Sequence, residues 1–377
     1  MKALQIGLDW LPERAGGLQR YFYDLIQAAP ARGIDVKGIV AGSPKVAVDS
    51  NKAVEAFGEM SAPLWSRLLG ARRAIRRAIR SYDPDLVVSH FALYTAPALD
   101  LVDRPLVVHF HGPWASEGRI EENGDLRQGV KAWVERTVYR RAARCIVLSE
   151  AFGTVLHERY RMPRERIRVV PGAVDIGRFT VALSRLEARD RLGWPTDRPI
   201  VLSVRRLVRR MGLENLIAAM SEVVRSRPEA LLLIGGRGPM ADELAAAIAE
   251  RGLERNVRLV GFISDDKLPL AYRAADFSVA PTAALEGFGL IAAESLAAGT
   301  PAVVTPVGGL PEVTRDLSEA LVFPGASAGD LSRRIAEVLS GSVKLPDIAA
   351  CESYARERYG WNVVIERVRA VYEEAMA

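Results

Sequence analysis

The chain is nearly free of cysteine: two in 377 residues, Cys145 and Cys351. They lie far apart and fit no metal spacing. A disulfide framework is excluded, and a reducing, cytoplasmic setting is expected. Cys145, inside the apolar run Cys145-Ile-Val-Leu148, reads as a buried free thiol. Long apolar runs are missing too: none approaches the roughly 18–20 residues that span a bilayer. The opening Met1-Lys-Ala-Leu-Gln-Ile-Gly-Leu8 lacks the apolar stretch and small-residue cleavage site of a signal peptide and reads as a first strand. There is no P-loop, no nucleophile elbow, no cluster with metal-ligand spacing, no low-complexity tract and no repeat of roughly 20–50 residues. No metal and no cofactor are expected, and no nucleic-acid partner.

What is present is a two-domain α/β chain. About half the residues are apolar (49%), enough for real cores, and the length suits two domains of ordinary size. Short apolar runs alternate with amphipathic segments throughout. Strands are expected at residues 3–8, 35–40, 86–89, 106–109 and 145–148, then at 200–204, 230–234, 257–260, 277–280 and 302–305. Helices fall between them, among others at 17–29, 213–226, 240–251 and 286–298. Repeated strand–helix units imply parallel sheets covered on both faces, and two such series imply two doubly wound domains. The first is expected over residues 1–175 and the second over 176–355. A closing helix at 356–377 is expected to pack back toward the first domain.

Net charge is +5 but uneven. Residues 1–180 hold 27 Lys and Arg against 20 Asp and Glu, a balance of +7; the remainder holds 24 against 26, a balance of −2. A basic first half suggests an anionic partner there. The segment Arg67–Arg80 forms a basic amphipathic helix, with Leu68, Ala71, Ile75, Ala78 and Ile79 on one stripe and Arg72, Arg73, Arg76, Arg77 and Arg80 elsewhere. Two readings stand: an anionic membrane surface as partner, at the inner face of a membrane, or a solvated face of a domain helix.

The most informative stretch is Ala283-Ala-Leu-Glu-Gly-Phe-Gly-Leu-Ile-Ala-Ala-Glu-Ser-Leu-Ala-Ala-Gly-Thr-Pro301. Glu286 and Glu294 stand eight apart, two helical turns, so both fall roughly on one face of a helix over 286–298. Paired acceptors suit a polyhydroxylated ligand such as a sugar or ribose. Gly287 and Gly289, flanking Phe288 before Leu290, let backbone N–H groups approach an anion at a helix N-terminus.

Ser203-Val-Arg-Arg-Leu-Val-Arg-Arg-Met-Gly212 places four arginines within six positions at a strand end, where open α/β sheets bind ligands. Arginine's planar fork suits phosphate oxygens. Not all four can point inward. Gly16-Gly17 follows the first strand and opens a helix without forming G-x-G-x-x-G; it can cradle a phosphate or a sugar, or be an ordinary strand–helix turn. His109 and His111 share strand parity, and a neutral imidazole at a strand end can hydrogen-bond a sugar hydroxyl. His90, at another strand end, is a further candidate. His157, in an amphipathic helix, reads as a surface residue. Asp83-Pro-Asp85 reads as a turn and not a metal site, and Ser264-Asp-Asp266 as a helix N-cap.

Taken together, Glu286-Gly-Phe-Gly-Leu-(x)-Ala-Ala-Glu294, Gly299-Thr-Pro301 and Val307-Gly-Gly-Leu-Pro-Glu312 resemble the donor site of retaining family-4 glycosyltransferases, glycosyltransferase group 1. The resemblance covers nearly the whole chain, through Gly16-Gly17, Phe110-His111-Gly112, Pro171–Asp175 with Phe179, Leu202-Ser-Val-(x)-Arg206-Leu and Gly236-(x)-Gly238-Pro239. It implies the GT-B fold, two Rossmann-like doubly wound domains facing across a cleft. It further implies a hexosyltransferase that takes a nucleotide sugar as substrate and a glycan, lipid-linked or small-molecule acceptor. It assigns Glu294 to the ribose hydroxyls, Glu286 to a donor-sugar hydroxyl, backbone N–H groups around Phe288–Leu290 and Gly17 to the diphosphate, Arg206 to its charge, and His111 to the donor sugar. The family's pattern carries a lysine five residues after the arginine. Here that position holds Met211, and Arg209 or Arg210 is expected to supply the missing cation.

Overall fold

A computed structural model of the chain describes residues 1–14, 16–114 and 125–377, with the side chains of the last stretch described from residue 128. It divides into two units, residues 1–172 with 361–377, and residues 173–360. The second unit begins slightly earlier than residue 176 because Val174 belongs to it: its N–H donates to the Tyr359 carbonyl at 2.7 Å. It ends at 360, and the helix Trp361–Met376 is part of the first unit.

The first unit holds a parallel seven-stranded sheet in the order β3-β2-β1-β4-β5-β6-β7. The strands are β1 (Lys2–Asp9), β2 (Asp35–Ala41), β3 (Val54–Ala56), β4 (Leu86–Ser89), β5 (Leu106–Phe110), β6 (Arg144–Val147) and β7 (Ile167–Val169). The second unit holds a parallel five-stranded sheet, β10-β9-β8-β11-β12. Its members are β8 (Ile200–Val204), β9 (Leu231–Gly235), β10 (Val257–Gly261), β11 (Phe277–Ala280) and β12 (Ala302–Val304). Both sheets are Rossmann-like, with β1 and β8 central and the order reversing beside them. Ten of the twelve strands among the described residues lie where apolar runs predict them. The two others, β3 and β7, are three-residue edge strands whose half-exposed residues carry no continuous apolar signal.

Helices cover the sheets because their apolar stripes need burial. The helix Leu64–Tyr82 presents Ala71, Ala74, Ile75 and Ala78 to the first core, beside Leu4, Ile6 and Val87. In the second unit the helix Leu213–Ser226 buries Leu216, Ile217, Met220 and Val223 against Leu232 and Val303. Each such aliphatic side chain contributes about 1.5–3 kcal/mol on burial. Cys145 and Cys351 are buried free thiols, and burial pushes each up to about 12. Among the described residues no helix is long and apolar enough to cross a membrane.

Candidate functional site

The site in the second unit is built from the ends of β8 and β11. After β8 the chain turns through Arg205 and a short helical turn, Arg209–Met211. After β11 it runs through residues 281–289 into the helix Leu290–Ala297. Two arginines tie these segments together. Arg205, 8% exposed, donates to the Glu286 carboxylate at 2.6 Å and to the Thr282 hydroxyl. Arg210, 7% exposed, donates to the Leu285 carbonyl at 2.8 Å, and its own carbonyl accepts from Ala283 N–H at 2.9 Å. Leu285 has φ +52°, a left-handed conformation that costs about 1–3 kcal/mol in a non-glycine residue. The Arg210 contact helps hold it.

The third side of the clamp is the Val307–Glu312 segment. Gly309 N–H donates to the Glu286 carbonyl at 3.0 Å. Gly308 sits at φ +57°, and a Cβ there would run into that same carbonyl. Only glycine fits. Gly289, at φ +95°, ends the loop and opens the helix.

That glycine corrects the sequence reading of this stretch. The helix starts at Leu290, not 286, because Leu285 and Gly289 both leave right-handed geometry. Glu286 therefore stands in the loop, and Glu294 alone stands on the helix. Glu294 is buried beside Tyr272. Burial pushes the Tyr272 hydroxyl well up, the Glu294 carboxylate pushes it further, and Arg205 pulls it down. Arg205 thus acts electrostatically on the surroundings of both carboxylates. Gly287 lies in the turn before the helix, Phe288 packs edge-on against Tyr359 at 5.4 Å between centroids, and Leu290 is the first helical residue.

The four arginines divide in a way their order does not reveal. Arg206 is exposed and its guanidinium makes no ion pair among the described residues. Arg209 is exposed and held on the surface by Glu214 at 2.9 Å and Glu243 at 3.0 Å. Arg205 and Arg210 are the two that turn inward. Met211, at the lysine position, is buried in the apolar core. Arg205 is the residue that sequence reasoning missed; its alternation with the buried Ser203 along β8 was the available signal.

In the first unit, Gly16 precedes the helix Gly17–Ala28 in extended backbone, and a Cβ on Gly17 would meet open space. Ala15 lies outside the described residues. Asp9, at the end of β1, was not anticipated. It is buried, which pushes its carboxyl up, while Gln19 and Arg14 pull it down; Arg14 Nε is 3.5 Å away.

His90, His109 and His111 come together at the C-terminal ends of β4 and β5. The His90 and His109 rings stack at 4.4 Å, and His90 Nδ1 lies 3.2 Å from His111 Nε2. Burial holds all three neutral: His90 and His109 are pushed well down, and His111 to about 4. Sequence spacing showed no metal cluster. In space these three are the one His, Cys, Asp or Glu group found with metal-like proximity among the described residues, their ligand atoms within 4.8 Å of one another. Their Nε2 atoms are committed to protein partners: His90 to Gln5, His109 to Tyr372 and His111 to His90. His157 is half-buried and donates from Nδ1 to the Met162 carbonyl at 2.8 Å. Asp85 and Asp83 serve the Lys2 N–H and Arg104. The helix Leu268–Ala274 has Lys267 as its N-cap and no side-chain cap bond, in place of the cap expected from Ser264–Asp266.

Residues 184–358 match the family model described as glycosyl transferases group 1, and residues 15–178 match that described as Glycosyltransferase Family 4. The D-inositol 3-phosphate glycosyltransferase of Mycolicibacterium smegmatis is 31% identical over 360 residues, 92% of this chain and 78% of that one. An uncharacterized glycosyltransferase of Methanocaldococcus jannaschii is 30% identical over 222 residues; the match spans 58% of this chain and 56% of that one. Among solved structures, Anabaena HepE in complex with UDP superposes with a TM-score of 0.80 at 21% identity, covering 99% of this chain and 100% of that one. The chain belongs to the group 1, family-4 type of glycosyltransferases. Its two Rossmann-like units make the GT-B fold, and it is a hexosyltransferase enzyme.

The ion pair gives a clean contrast between neighbouring arginines. Arg205→Met leaves the Glu286 carboxylate without its partner and should lower urea-unfolding stability by about 3 kcal/mol. Arg206→Met should change it by no more than about 0.5 kcal/mol. Equal effects would show that the pair does not hold the loop.

Proposed function

We propose that the chain is a retaining, metal-independent transferase that moves a hexosyl group from a UDP- or GDP-linked sugar to a hydroxyl of a glycan, glycolipid or small-molecule acceptor. The observation that carries this reading is the clamp of Arg205 and Arg210 on the Glu286 loop, leading directly into a helix N-terminus whose second turn holds Glu294. Glu294 accepts from ribose hydroxyls and Glu286 from a hydroxyl of the sugar. The first N–H groups of the helix Leu290–Ala297 offer donors and the positive dipole end to a diphosphate. Arg206, exposed and without an ion pair among the described residues, supplies positive charge to the leaving group. Gly16 and Gly17 give close backbone approach, and neutral His111 contacts the sugar.

The chemistry needs few protein groups. The bond from the anomeric carbon to the phosphate oxygen breaks as the acceptor oxygen bonds to the same face of that carbon. The acceptor's proton passes to the departing phosphate, which explains how the reaction proceeds without a dedicated base. The UDP bound to Anabaena HepE supports a nucleoside diphosphate as the ligand. A second reading, a weakly catalytic nucleotide-sugar-binding module, has one observation in its favour: Met211 is buried where the family pattern places a cation.

An anionic membrane surface is proposed as a partner, at the cytoplasmic face. Arg73, Arg76, Arg77 and Arg80 line one surface groove, and Leu64, Trp65 and Leu69 of the same helix are exposed, Trp65 by 67%. Apolar anchors beside arginines fit a headgroup layer.

Two measurements test these readings. Incubation with a panel of nucleotide sugars should release nucleoside diphosphate from one donor, and proton NMR of the transferred sugar should show the donor's anomeric configuration; release from none would favour the binding module, and inversion would remove the front-face path. Co-sedimentation with vesicles of anionic lipid should fall severalfold in an Arg73/Arg76/Arg80→Gln variant, and unchanged pelleting would remove the membrane partner.

A further inference from the structure

Parallel register puts the three histidines and a distant glutamine on one face of the first sheet. Gln5 on β1 pairs with Val88 on β4, and Val88 pairs with Val107 on β5. Two residues further along, on the same face, come His90 and His109, and two beyond His109 comes His111. The helix Trp361–Met376 packs there and brings Tyr372 into the group.

The hydrogen bonds among these side chains form a directed chain. The Gln5 amide nitrogen donates to the Tyr372 hydroxyl at 3.3 Å, which leaves the amide oxygen to accept from His90 Nε2–H at 2.8 Å. A neutral imidazole has one N–H, so His90 Nδ1 is then bare. It accepts from His111 Nε2–H at 3.2 Å. His111 Nδ1 is left with its lone pair. On the other branch the Tyr372 hydroxyl, having accepted from Gln5, lies 3.0 Å from His109 Nε2, while His109 Nδ1 is buried with no hydrogen-bond partner among the described residues. Burial that keeps all three rings uncharged supports the single-proton bookkeeping.

We propose that Gln5, His90 and Tyr372 are positioning residues that fix His111 with its proton on Nε2 and its Nδ1 as an acceptor, so that His111 takes a hydroxyl of an uncharged sugar and rejects a sugar bearing a carboxylate at that place. A hydroxyl can donate to Nδ1. A carboxylate offers only lone pairs, and turning the ring into a donor would require either reversing the whole chain or placing a cation beside the two buried imidazoles of His90 and His109. The tautomer follows from the network together with the orientation of the Gln5 amide in it; the choice between sugars rests on the function proposed above.

Long-range 15N–1H spectra of the full chain, with imidazoles assigned through single His→Gln variants, read the tautomers directly. His90 and His111 should be protonated on Nε2. Protonation of His111 on Nδ1, or on both nitrogens, overturns the assignment. In Tyr372→Phe the Gln5 amide loses its acceptor, and the His90 and His111 signals should shift toward mixed tautomers; an unchanged pattern removes Tyr372 from the device. Titration with UDP-glucose and UDP-glucuronate should show at least tenfold tighter binding of the former. Equal binding overturns the selectivity, and binding of neither these nor a GDP-linked hexose sinks the proposed function while the spectra still decide the tautomer.

Discussion

The ion pair between Arg205 and Glu286 is the contact on which the second unit's site depends. It joins the end of β8 to the loop after β11, and it does so almost out of water. A buried pair of this kind is weak evidence for stability but strong evidence for geometry, because either charge left alone is costly. Around it the chain accepts local strain: Leu285 in left-handed backbone, Gly289 and Gly308 at positive φ, and Gly308 pressed so close to the Glu286 carbonyl that no side chain fits. Strain held by surrounding contacts is what a preorganised binding loop looks like. Arg210 contributes the last tether, bonding the Leu285 carbonyl with its guanidinium and Ala283 with its own carbonyl.

The two units organise polar groups by opposite means. In the second, opposite charges neutralise each other within hydrogen-bond distance. In the first, burial disfavours charge on three imidazoles, which are hydrogen-bonded to one another, to Gln5 and to Tyr372. A charged site suits a ligand that carries its own charge, and a neutral one suits a hydroxyl-bearing ligand.

Much of the fold was legible because parallel strands covered on both faces leave continuous apolar runs. Residues such as Leu231–Gly235 and Phe277–Ala280 could hardly be anything else. The edge strands β3 and β7 escaped because half their surface is wet. The helix start was misplaced by four residues, since an Ala- and Leu-rich pattern does not show that Leu285 adopts positive φ. The arginine that turns inward escaped too. Adjacent residues at a strand end point to opposite sides, so Arg205 and Arg206 exchange roles with one step of register, and motif matching selects Arg206. The histidine network was legible only as separate residues: Gln5 and Tyr372 lie 367 positions apart in the chain and meet through the sheet and the closing helix.

We propose above all that Glu294, on the helix into which the Arg205–Glu286 clamp leads, holds the ribose of a nucleoside diphosphate. Isothermal titration of the wild-type chain and of Glu294→Ala with UDP and GDP measures that directly. One of the two nucleotides should bind the wild type in the micromolar range, about −8 kcal/mol, and Glu294→Ala should weaken it by at least tenfold while its circular dichroism stays unchanged. Binding of equal strength in both proteins would place the nucleotide elsewhere and contradict the account.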